Sequence, residues 1–581
     1  MRLSRVRLGL LGVSAGAVLL LIGLRLVSVS LVQRERWLAI GQRQQQRTVR
    51  LAPERGSLLD REGRELAVSQ RAWSAFIDPS LLSSDEEREA AVAALSPVLG
   101  QTESRLRKKL NRPGSFSWLE RKLDVERRDE LEALDLTGLG FVPESKRVFP
   151  GEELAAHVLG AVGTDNDGLE GLEHVLDPIV AGRPGQLLTM KDARGDEFLP
   201  GGLSHRPPTR GADVVLTLDT VAQYLAEREL ARAVAETGAT AGTVLVMLPG
   251  NGDVAALSNL PTFNPNNFPT YPSHLRTNRA VASCYEPGST FKIFTVATAL
   301  QAGLLESEEI IDCGNGALRV GSVRVKDHRP FDRLVVEDVL ALSSNIGAIR
   351  IGQRLGNHRL HASLTALGFG GKTGVEAPGE SAGILRAPRR WTPLSLASIS
   401  FGHEVAVTPL QLVRAGCAVA NGGLLPTPRL VREHRREDGS VKTQPVPRPR
   451  RVFTEDTARL VSKMLEATVE RGTGRLAQVP GYRVAGKTGT AQKLGSDGRY
   501  VHDRHVASFL GWAPADDPAF VALVVIDEPR GPRQHGGEVA APVFARLARD
   551  LLRHWGIPPE PTLLAESERT GGSRVGGGDA G

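Results

Sequence analysis

A long apolar stretch close to the N-terminus is the first pattern in this chain. Leu8 to Val32 contains one charged residue, Arg25, and three arginines precede it. A helix needs roughly 20 residues to cross the hydrocarbon core of a bilayer, and they fit within this stretch. The apolar region of a cleaved signal sequence is shorter, about 7–15 residues, and this stretch continues beyond Ala15-Gly16-Ala17. Residues 8–32 are therefore predicted to be an uncleaved transmembrane anchor.

The early arginines also set the expected topology. Positive charges favour the cytoplasmic side of a membrane. Residues 1–7 are therefore predicted to be a cytoplasmic tail, and the rest of the chain should lie outside the cytoplasm on a single-pass inner (cytoplasmic) membrane protein. Arg25 has two interpretations, contact with a partner inside the membrane or a side chain that extends to the membrane surface. The sequence does not separate them.

Shorter patterns predict the elements of residues 33–205. Glu62-Gly63 lies between two apolar runs, which predicts a turn between two strands. Over residues 84–135, acidic, basic and apolar residues alternate at helical spacing, which predicts an exposed helical region. Residues 168–173 lead into another helix, and the isolated His157 is typical of a hydrogen-bonded core histidine.

Residues 206–558 begin and end with strand patterns. Asp219-Thr220 predicts a helix start, with Gln223 placed as in a capping box, and the helix should end near Gly238. Two apolar runs flank Asn251-Gly252, which is a strong hairpin signal. Two more runs, residues 506–512 and 520–526, precede a final helix. These strands are expected to pair in one sheet around an inserted helical region, and the Gly- and Ser-rich residues 559–581 are predicted to be a disordered tail.

Composition narrows the classes of function. Residues 1–50 hold nine arginines and one acid, a charge of +8, and the remaining 63 basic and 65 acidic residues give −2, for a total of +6. The basic surplus belongs to the membrane segment, so no nucleic-acid partner is expected. Cys284, Cys313 and Cys417 have neither disulfide-framework nor zinc spacing, so no metal or cofactor is predicted. Cys284 and Cys417 are expected to pack as small apolar side chains.

The first motif that carries chemistry is Ser289-Thr290-Phe291-Lys292, which follows Pro287-Gly288. Pro-Gly suits a sharp turn into a helix, and residues at i and i+3 share one helical face, so the hydroxyl and the amine can meet. The helix N-terminus favours negative charge on the hydroxyl oxygen as it loses its proton. Lys292 can act as a base only if burial or another cation lowers its pKa. Alone, such a tetrapeptide also arises by chance.

Two further motifs follow along the chain. In Ser343-Ser344-Asn345 a hydroxyl can relay a proton and the amide can orient substrate and lysine, although the tripeptide alone is equally typical of a helix cap. Lys487-Thr488-Gly489-Thr490 follows a short apolar run and is expected on a strand, where glycine lets a substrate backbone approach closely. Lys487 is expected to be the second cation, which lowers the pKa of Lys292 and attracts a carboxylate.

In this order, the three motifs are the signature set of penicillin-binding proteins and serine β-lactamases. Several flanking segments closely resemble the class B penicillin-binding proteins, namely residues 278–281, 285–292, 407–412, 420–423 and 484–492. Others resemble the motifs of that family's N-terminal pedestal, namely residues 55–67, 147–160 and 168–173. The resemblance covers about residues 1–558.

The resemblance implies an α+β protein. Residues 206–558 would form a transpeptidase fold, with a five-stranded antiparallel sheet flanked by helices and an all-helical subdomain. Residues 33–205 would form an α/β pedestal of the dimerisation type. The implied site has Ser289 as nucleophile, Lys292 as base, Ser343 as proton relay, Asn345 as contact for substrate and lysine, Lys487, Thr488, Gly489 and Thr490 as carboxylate site, and backbone N–H groups of Ser289 and Thr490 as oxyanion hole.

The implied reaction is peptidoglycan cross-linking. Ser289 would attack the D-Ala–D-Ala bond of a stem peptide, D-Ala would leave, and the amine of a second stem would resolve the ester; β-lactam antibiotics would acylate the same serine. Residues 509–514 and the overall length resemble the division-type subfamily, which implies septal synthesis with a SEDS-family glycosyltransferase and other divisome membrane proteins as partners. The chain departs from the family at Gly402-His403-Glu404-Val405, where many relatives have Gly-Gln-Gly-Ile.

Several alternatives share these motifs. A β-lactamase or D,D-carboxypeptidase needs neither the anchor nor the pedestal, and a β-lactam sensor should add signalling segments. A non-catalytic division scaffold would not need Ser289, Lys292 and Lys487 intact. Elongation-type and sporulation-type enzymes of the same class remain open, and the motifs do not separate an amine acceptor from water.

Overall fold

The computed structural model describes residues 2–37, 46–114, 116–191, 197–198, 205–495 and 499–564. Contacts divide the chain into two compact units, Met1–Glu54 with Gly182–Gly211, and Arg55–Ala181 with Ala212–Gly581. Most of the predicted tail, residues 565–581, lies outside the described residues.

The first unit contains the apolar helix. An α-helix covers Arg2–Val27 and continues as one π turn over Ser28–Val32. Its Val6–Val32 part is long and apolar enough to cross a membrane, which fits the predicted single-pass anchor. The unit also holds a small antiparallel sheet of the strands Gln46–Leu51, Gly185–Lys191, Glu197–Phe198 and His205–Arg206.

In the second unit, residues 55–181 build a sheet with helices on it. The strands Leu58–Leu59 and Glu65–Ile77 pair around Glu62-Gly63, which confirms the predicted turn. Glu65–Ile77 pairs further with Ser117–Leu123 and Leu139–Val148. Three strands from later in the chain complete this seven-stranded sheet, namely Asp213–Leu216, Val431–Arg435 and Val441–Thr443.

The prediction of an exposed helical region over residues 84–135 is wrong in two respects. Three helices are present, Asp85–Leu99, Glu103–Leu110 and Val125–Glu132, but Ser117–Leu123 between them is a strand. The helices also pack a core of their own, including Leu95, Leu106 and Leu131, against the sheet. The alternation of buried Ser117 and Leu119 is too short to stand out from the charged helical pattern around it.

The predicted sheet from both ends of residues 206–558 is present. We number its strands β1 (Ala241–Met247), β2 (Val254–Leu260), β3 (Ala485–Leu494), β4 (Tyr500–Ala513) and β5 (Phe520–Asp527). All neighbours are antiparallel, in the order β2-β1-β5-β4-β3. Strand β3, which carries the Lys-Thr-Gly-Thr motif, is therefore an edge strand.

Apolar residues on both sides of its strands give this sheet two buried faces. The main helices are α1 (Thr220–Thr237), α2 (Lys292–Gln301), α3 (Asn345–Ala366), α4 (Pro409–Ala420), α5 (Glu455–Glu470) and α6 (Ala541–His554). Val244 and Phe509 share one core with α1 and α6. Leu245 and Leu510, one position along each strand, share the other core with α2 and α4. Burial of successive residues on opposite faces explains why these strands read as continuous apolar runs.

Short elements complete the unit. The helices are Ala156–Leu159, Gly171–Val175, Asp177–Val180, Arg279–Ala282, Val336–Ala341, Pro393–Ser400 and Gly536–Val539. The strands are Ala161–Val162, Gly168–Glu170, Ile310–Asp312, Ala317–Val320, Val323–Lys326, Arg333–Val335, Leu424–Leu425 and Arg450–Arg451.

Two local predictions need correction. Asp219, not Thr220, caps α1, and its side chain accepts from the N–H groups of Val221 and Ala222. Gln223 makes no capping box, because its buried amide exchanges two hydrogen bonds with the backbone of Leu257 in β2. Cys417 is buried as expected, but Cys284 is exposed beside Ser381.

Candidate active site

Ser289 lies in a tight turn that packs against the loop at Gly402 on one side and the edge strand β3 on the other. The 3-10 turn Gly288–Phe291 runs directly into α2, as the Pro-Gly pair predicts. Gly288 has a φ of +56°, and a Cβ on it would lie 2.8 Å from the carbonyl oxygen of Thr490. Its N–H donates to the carbonyl of Gly402 at 3.1 Å. Only glycine fits there, and it holds the half-buried Ser289 against β3.

Lys292 is fully buried one turn after Ser289. Its Nζ donates to the carbonyl oxygen of Ser343 at 2.6 Å, to Ser343 Oγ at 3.2 Å and to Asn345 Oδ1 at 2.8 Å. Burial lowers the pKa of Lys292 to about 7, and the negative charge of Asp327 acts in the opposite direction. The first and second motifs therefore meet at one amine whose pKa lies near physiological pH.

The Ser343-Ser344-Asn345 motif lies in the junction between the helix Val336–Ala341 and α3. Ser343 has a φ of +61°, in the left-handed region that side-chain-bearing residues rarely adopt. Ser344 is the N-cap of α3, and its Oγ accepts from the N–H of Gly347 at 2.9 Å. The middle residue thus takes the capping role that the sequence offered as an alternative, while its two neighbours turn toward Lys292.

Asp327 is a residue that sequence reasoning missed. Its carboxylate accepts from Ser344 Oγ at 2.8 Å and from the N–H groups of Asn345 and Ile346 at the start of α3. A carboxylate is favoured at a helix N-terminus, where it meets unpaired N–H groups. It therefore fixes the motif that holds Lys292. No local pattern marks Asp327, because it is far from this motif in sequence and belongs to no family segment noted above.

Lys487 is also fully buried, on β3. Burial, and then the charge of Lys292, lower the pKa of Lys487 well below its ordinary value. Burial is the main cause of the lowered pKa of Lys292. Since repulsion between two cations is mutual, an additional effect of Lys487 on Lys292 stays a prediction. Thr488 Oγ1 lies 2.7 Å from Thr473 Oγ1, and Thr490 Oγ1 accepts from the N–H of Gly536 at 3.0 Å.

Gly489 is required by the protein itself. A Cβ there would lie 2.4 Å from Ser508 Oγ and 2.9 Å from the carbonyl oxygen of Pro287. The sequence interpretation assigned this space to a substrate backbone, whereas the turn before Ser289 fills it. The glycine thus brings the first and third motifs into contact.

The departure at Gly402-His403-Glu404-Val405 forms a wall beside this turn. A Cβ on Gly402 would lie 2.1 Å from the carbonyl oxygen of Gly288. The His403 ring packs on Phe401 and Tyr500, with centroids 4.9 and 5.8 Å apart, and burial followed by the charge of Lys292 lowers its pKa to about 4. His403 is therefore neutral at pH 7.

Glu404 adopts a φ of +56° in this loop, and its carboxylate pairs with Arg386. Its N–H donates to Glu286 Oε1 at 2.8 Å, and the hydroxyl of Tyr500 donates to Glu286 Oε2 at 3.0 Å. Glu286, which sequence reasoning gave no role, thus joins the rim loop to the start of β4. These contacts with Arg386 and Glu286 hold the substituted loop in place.

Comparison with known proteins decides the family. The chain matches the Penicillin binding protein transpeptidase domain over residues 242–549 and the Penicillin-binding Protein dimerisation domain over residues 50–216. This chain belongs to the class B penicillin-binding proteins. By family it is a serine-type D,D-transpeptidase.

Named relatives of this penicillin-binding protein cover most of its length. It is 36% identical to stage V sporulation protein D of Bacillus subtilis, over 94% of this chain and 85% of that protein. It is 36% identical to the probable peptidoglycan D,D-transpeptidase PenA of Neisseria gonorrhoeae, over 90% and 88%. It is 32% identical to the peptidoglycan D,D-transpeptidase FtsI of Escherichia coli K12, over 90% and 89%.

Solved structures share the fold of this penicillin-binding protein. Penicillin binding protein 3 of Mycobacterium tuberculosis, complexed with aztreonam, superposes with a TM-score of 0.70 at 29% identity, over 89% of this chain and 99% of that one. A peptidoglycan synthetase from Bifidobacterium adolescentis gives a TM-score of 0.72 at 25% identity, over 89% and 98%. The predicted transpeptidase fold is confirmed.

Proposed function

We propose that this protein cross-links peptidoglycan stem peptides through an acyl ester on Ser289, with Lys292 as the general base. The observation that carries the proposal is the environment of Lys292. The amine is fully buried, has a pKa near 7, and is held by Ser343 and Asn345 one helical turn from Ser289. A general base is most effective when its pKa lies near the operating pH.

The other motif residues have roles on either side of this pair. Ser343 contacts the amine through both its carbonyl and its hydroxyl, which suits a relay that returns a proton to the leaving group. Asn345 orients the lysine. Lys487, with Thr488 and Thr490 on the edge strand, would bind the terminal carboxylate of the donor peptide, because a nearby carboxylate favours the protonated form of a buried amine. Backbone N–H groups of Ser289 and Thr490 would stabilise the oxyanion.

The reaction has two balanced steps. Ser289 Oγ loses its proton to Lys292 and attacks the carbonyl between the two D-Ala residues, and the peptide C–N bond breaks as the terminal D-Ala leaves with a proton. The amine of a second stem peptide then attacks the ester. Its nitrogen forms the new amide, the ester C–O bond breaks, and its proton returns to Ser289 Oγ.

A β-lactam would stop the cycle after its first step, because its ring amide opens on Ser289 and no leaving group departs. Fluorescent penicillin therefore tests the assignment on the full-length protein in detergent. Wild type should become labelled and Ser289→Ala should not. Ser440→Ala, at an exposed serine, is the matched control. Equal labelling of Ser289→Ala would contradict the proposal.

The proposed cellular setting is the inner membrane at the division septum. The apolar N-terminal helix would anchor the protein in the inner membrane with its N-terminus in the cytoplasm, which places Ser289 where peptidoglycan is assembled. Likeness to FtsI over 90% of the chain supports a role in septal synthesis, with a SEDS-family glycosyltransferase and other divisome membrane proteins as partners. N-terminal sequencing of the mature protein tests the anchor, and a start after Ala17 would contradict it.

A sporulation role is the second candidate, because the likeness to stage V sporulation protein D is at least as high. A fluorescent fusion separates the two. A septal enzyme should form a band at midcell in growing cells. A signal confined to developing spores would support the second candidate, and labelling along the side wall would contradict both.

A further inference from the structure

A basic hairpin borders the active site next to Asn345. The strands Ala317–Val320 and Val323–Lys326 pair antiparallel, and the chain continues through Asp327 to Arg333. Residues 317–333 hold five basic residues and two acidic ones, a net charge of +3. All five basic side chains are exposed, namely Arg319, Arg324, Lys326, Arg329 and Arg333. Within the described residues, none of them forms an ion pair with an acid.

The arrangement of these charges is unfavourable for the isolated hairpin. Arg319 lies directly opposite Arg324, and like charges at such a position destabilise a strand pair. Arg324 and Lys326, two residues apart, point to the same face. The opposite face is apolar and packs into the core through Val320, Leu318 and Val325. An exposed face used only for solubility would mix both signs of charge, so this pattern indicates an anionic ligand.

The hairpin is joined rigidly to the catalytic residues. Asn345 Nδ2 donates to the carbonyl of Lys326 at 3.0 Å, while Asn345 Oδ1 accepts from Lys292. Asp327, the next residue, holds Ser344 and the N-terminus of α3. The following turn is fixed as well, because a Cβ on Gly316 would lie 2.5 Å from Cα of Pro330, and the Arg329 guanidinium lies 5.2 Å from the ring centroid of Phe331.

The hairpin ends beside the second motif, because the carbonyl of Lys326 accepts from Asn345 and the carboxylate of Asp327 accepts from Ser344. His328 follows Asp327, and its ring lies 5.7 Å from that of Phe331. Partial burial, and then the charges of Arg329, Lys292 and Lys487, lower the pKa of His328. The basic face therefore begins beside Asn345, which contacts Lys292.

We propose that this basic hairpin binds the carboxylates of the acceptor stem peptide and guides its amine to the ester on Ser289. The inference rests on the proposed function. The donor carboxylate is assigned to Lys487 on β3, whereas the hairpin contacts Asn345 at the start of α3, so we assign the hairpin to the second peptide. A stem peptide with free carboxylates is an acidic ligand, and complementary charge at the rim raises the rate of its encounter.

The test compares the two half-reactions in the full-length protein. A thioester analogue of the donor acylates Ser289, and the acyl-enzyme is then divided between water and a synthetic stem tetrapeptide with free carboxylates. The variant combines Arg324→Gln, Lys326→Gln and Arg329→Gln. Arg436→Gln, Lys442→Gln and Arg448→Gln together remove the same charge from another exposed segment and serve as the control.

We expect the hairpin variant to need about tenfold more acceptor for half-maximal aminolysis, with acylation changed less than about twofold. The wild-type preference for the charged acceptor should weaken as salt is added, because exposed charges are screened, and the variant should show little salt dependence. Arg324→Lys with Arg329→Lys, which keeps the charge, should retain the wild-type acceptor requirement.

Three results would overturn the proposal. These are an unchanged acceptor requirement in the variant, an equal loss with the same tetrapeptide in which carboxamides replace the carboxylates, and a parallel loss of acylation. Failure of the proposed function would look different, because wild type itself would then not form the acyl ester.

Discussion

Two clusters of buried basic side chains in this protein differ in whether an acid accompanies them. In the pedestal, Arg55 and Arg147 are buried against the fully buried Glu173, with Nε–carboxylate distances of 2.7 Å for both. Asp177 adds a second carboxylate to Arg55. In the active site, Lys292 and Lys487 are buried, and neither forms an ion pair with a residue that the structure describes. The pKa of each lysine is lowered.

The contrast follows from the chemistry of the two side chains. An arginine stays protonated under all ordinary conditions, so it can be buried only with a partner, and its planar group binds a carboxylate with defined geometry. A lysine can respond to burial by losing its proton. The pedestal therefore uses buried charge to fix its strands and loops, whereas the active site uses burial to obtain a neutral amine. The first arrangement links separate segments of the fold through ion pairs, and the second has the neutral amine that the proposed base requires.

The largest effect should come from Lys292→Arg, which makes the active site resemble the pedestal by installing a permanent cation. Acylation by penicillin should fall by at least about 10³-fold, because a guanidinium cannot accept the proton of Ser289. Stopped-flow or gel measurement of the acylation rate checks this. Lys463→Arg, at an exposed lysine, is the control.

Since arginine is larger than lysine, the same assay is repeated on Lys292→Met, which matches the shape without the amine. Both variants should be inactive while remaining folded. Acylation of either at more than about a tenth of the wild-type rate would show that Lys292 is not the base.

Glu173→Gln applies the converse change to the pedestal. Removing one partner of a buried ion pair leaves an uncompensated charge, which costs about 3–5 kcal/mol. The thermal unfolding temperature should therefore fall by several degrees, while the acylation rate of the folded protein at low temperature stays within about twofold. Glu103→Gln, at an exposed acid, should change neither. A fall in the acylation rate with little loss of stability would contradict this expectation, because it would show that the pedestal charges take part in catalysis.

The wild-type protein should show the difference through pH. The rate of acylation should fall about tenfold per unit below the Lys292 pKa of about 7, because the protonated amine cannot act as a base. Stability should move with it. The unfolded state binds more protons than the folded state between pH 7 and the ordinary lysine value near 10.5, so the free energy of unfolding rises with pH in that window. Lys487, whose pKa is also lowered, contributes in the same direction.

Lys292→Met should reduce this rise in stability with pH, which differential scanning calorimetry at a series of pH values would measure. A flat stability in wild type across pH 7–10 would mean that the lysines are protonated in the folded state. That result would remove the distinction between the two clusters.

The active-site cluster could be predicted from the sequence, whereas the pairing of the pedestal charges could not. The three catalytic motifs combine residue types and order that chance does not produce, so Ser289, Lys292 and Lys487 could be brought together before any fold was known. The pedestal charges belong to segments that resemble a family, but nothing local indicates that Arg55 and Glu173 meet across 118 residues. The roles of the motif residues and the domain boundaries stay predictions.

What the sequence missed has a common physical cause. Asp327 and Glu286 act through hydrogen bonds to backbone N–H groups or to a distant side chain, and such contacts leave no periodicity. The strand Ser117–Leu123 is decided by its pairing with Glu65–Ile77, not by its own residues. The spacing of Gln223 from Thr220 predicts a capping box, whereas tertiary contact with Leu257 decides the role of Gln223. Local sequence patterns predict the helices and strands, whereas long-range contacts determine what individual residues within them do.

The smallest predicted effect concerns Asp327, whose carboxylate acts on the pKa of Lys292. Its negative charge raises the pKa of Lys292, although less than burial lowers it. Asp327→Asn removes the charge and keeps an oxygen that can accept from Ser344 Oγ or from the N–H of Asn345. The pKa of Lys292 should then fall further, and the acid limb of the acylation profile should move to lower pH by about one unit.

This shift separates an electrostatic role from a structural one. Loss of the contacts at the start of α3 would lower the acylation rate at every pH, whereas loss of the charge moves the midpoint. Asp332→Asn, at an exposed acid of the same loop, is the matched control and should leave the midpoint unchanged. A midpoint that stays in place in Asp327→Asn, or moves to higher pH, would show that Asp327 positions the motif without tuning the base. Burial alone would then set the pKa of Lys292. No acid would act on the active-site lysine, whereas acids accompany each buried arginine of the pedestal.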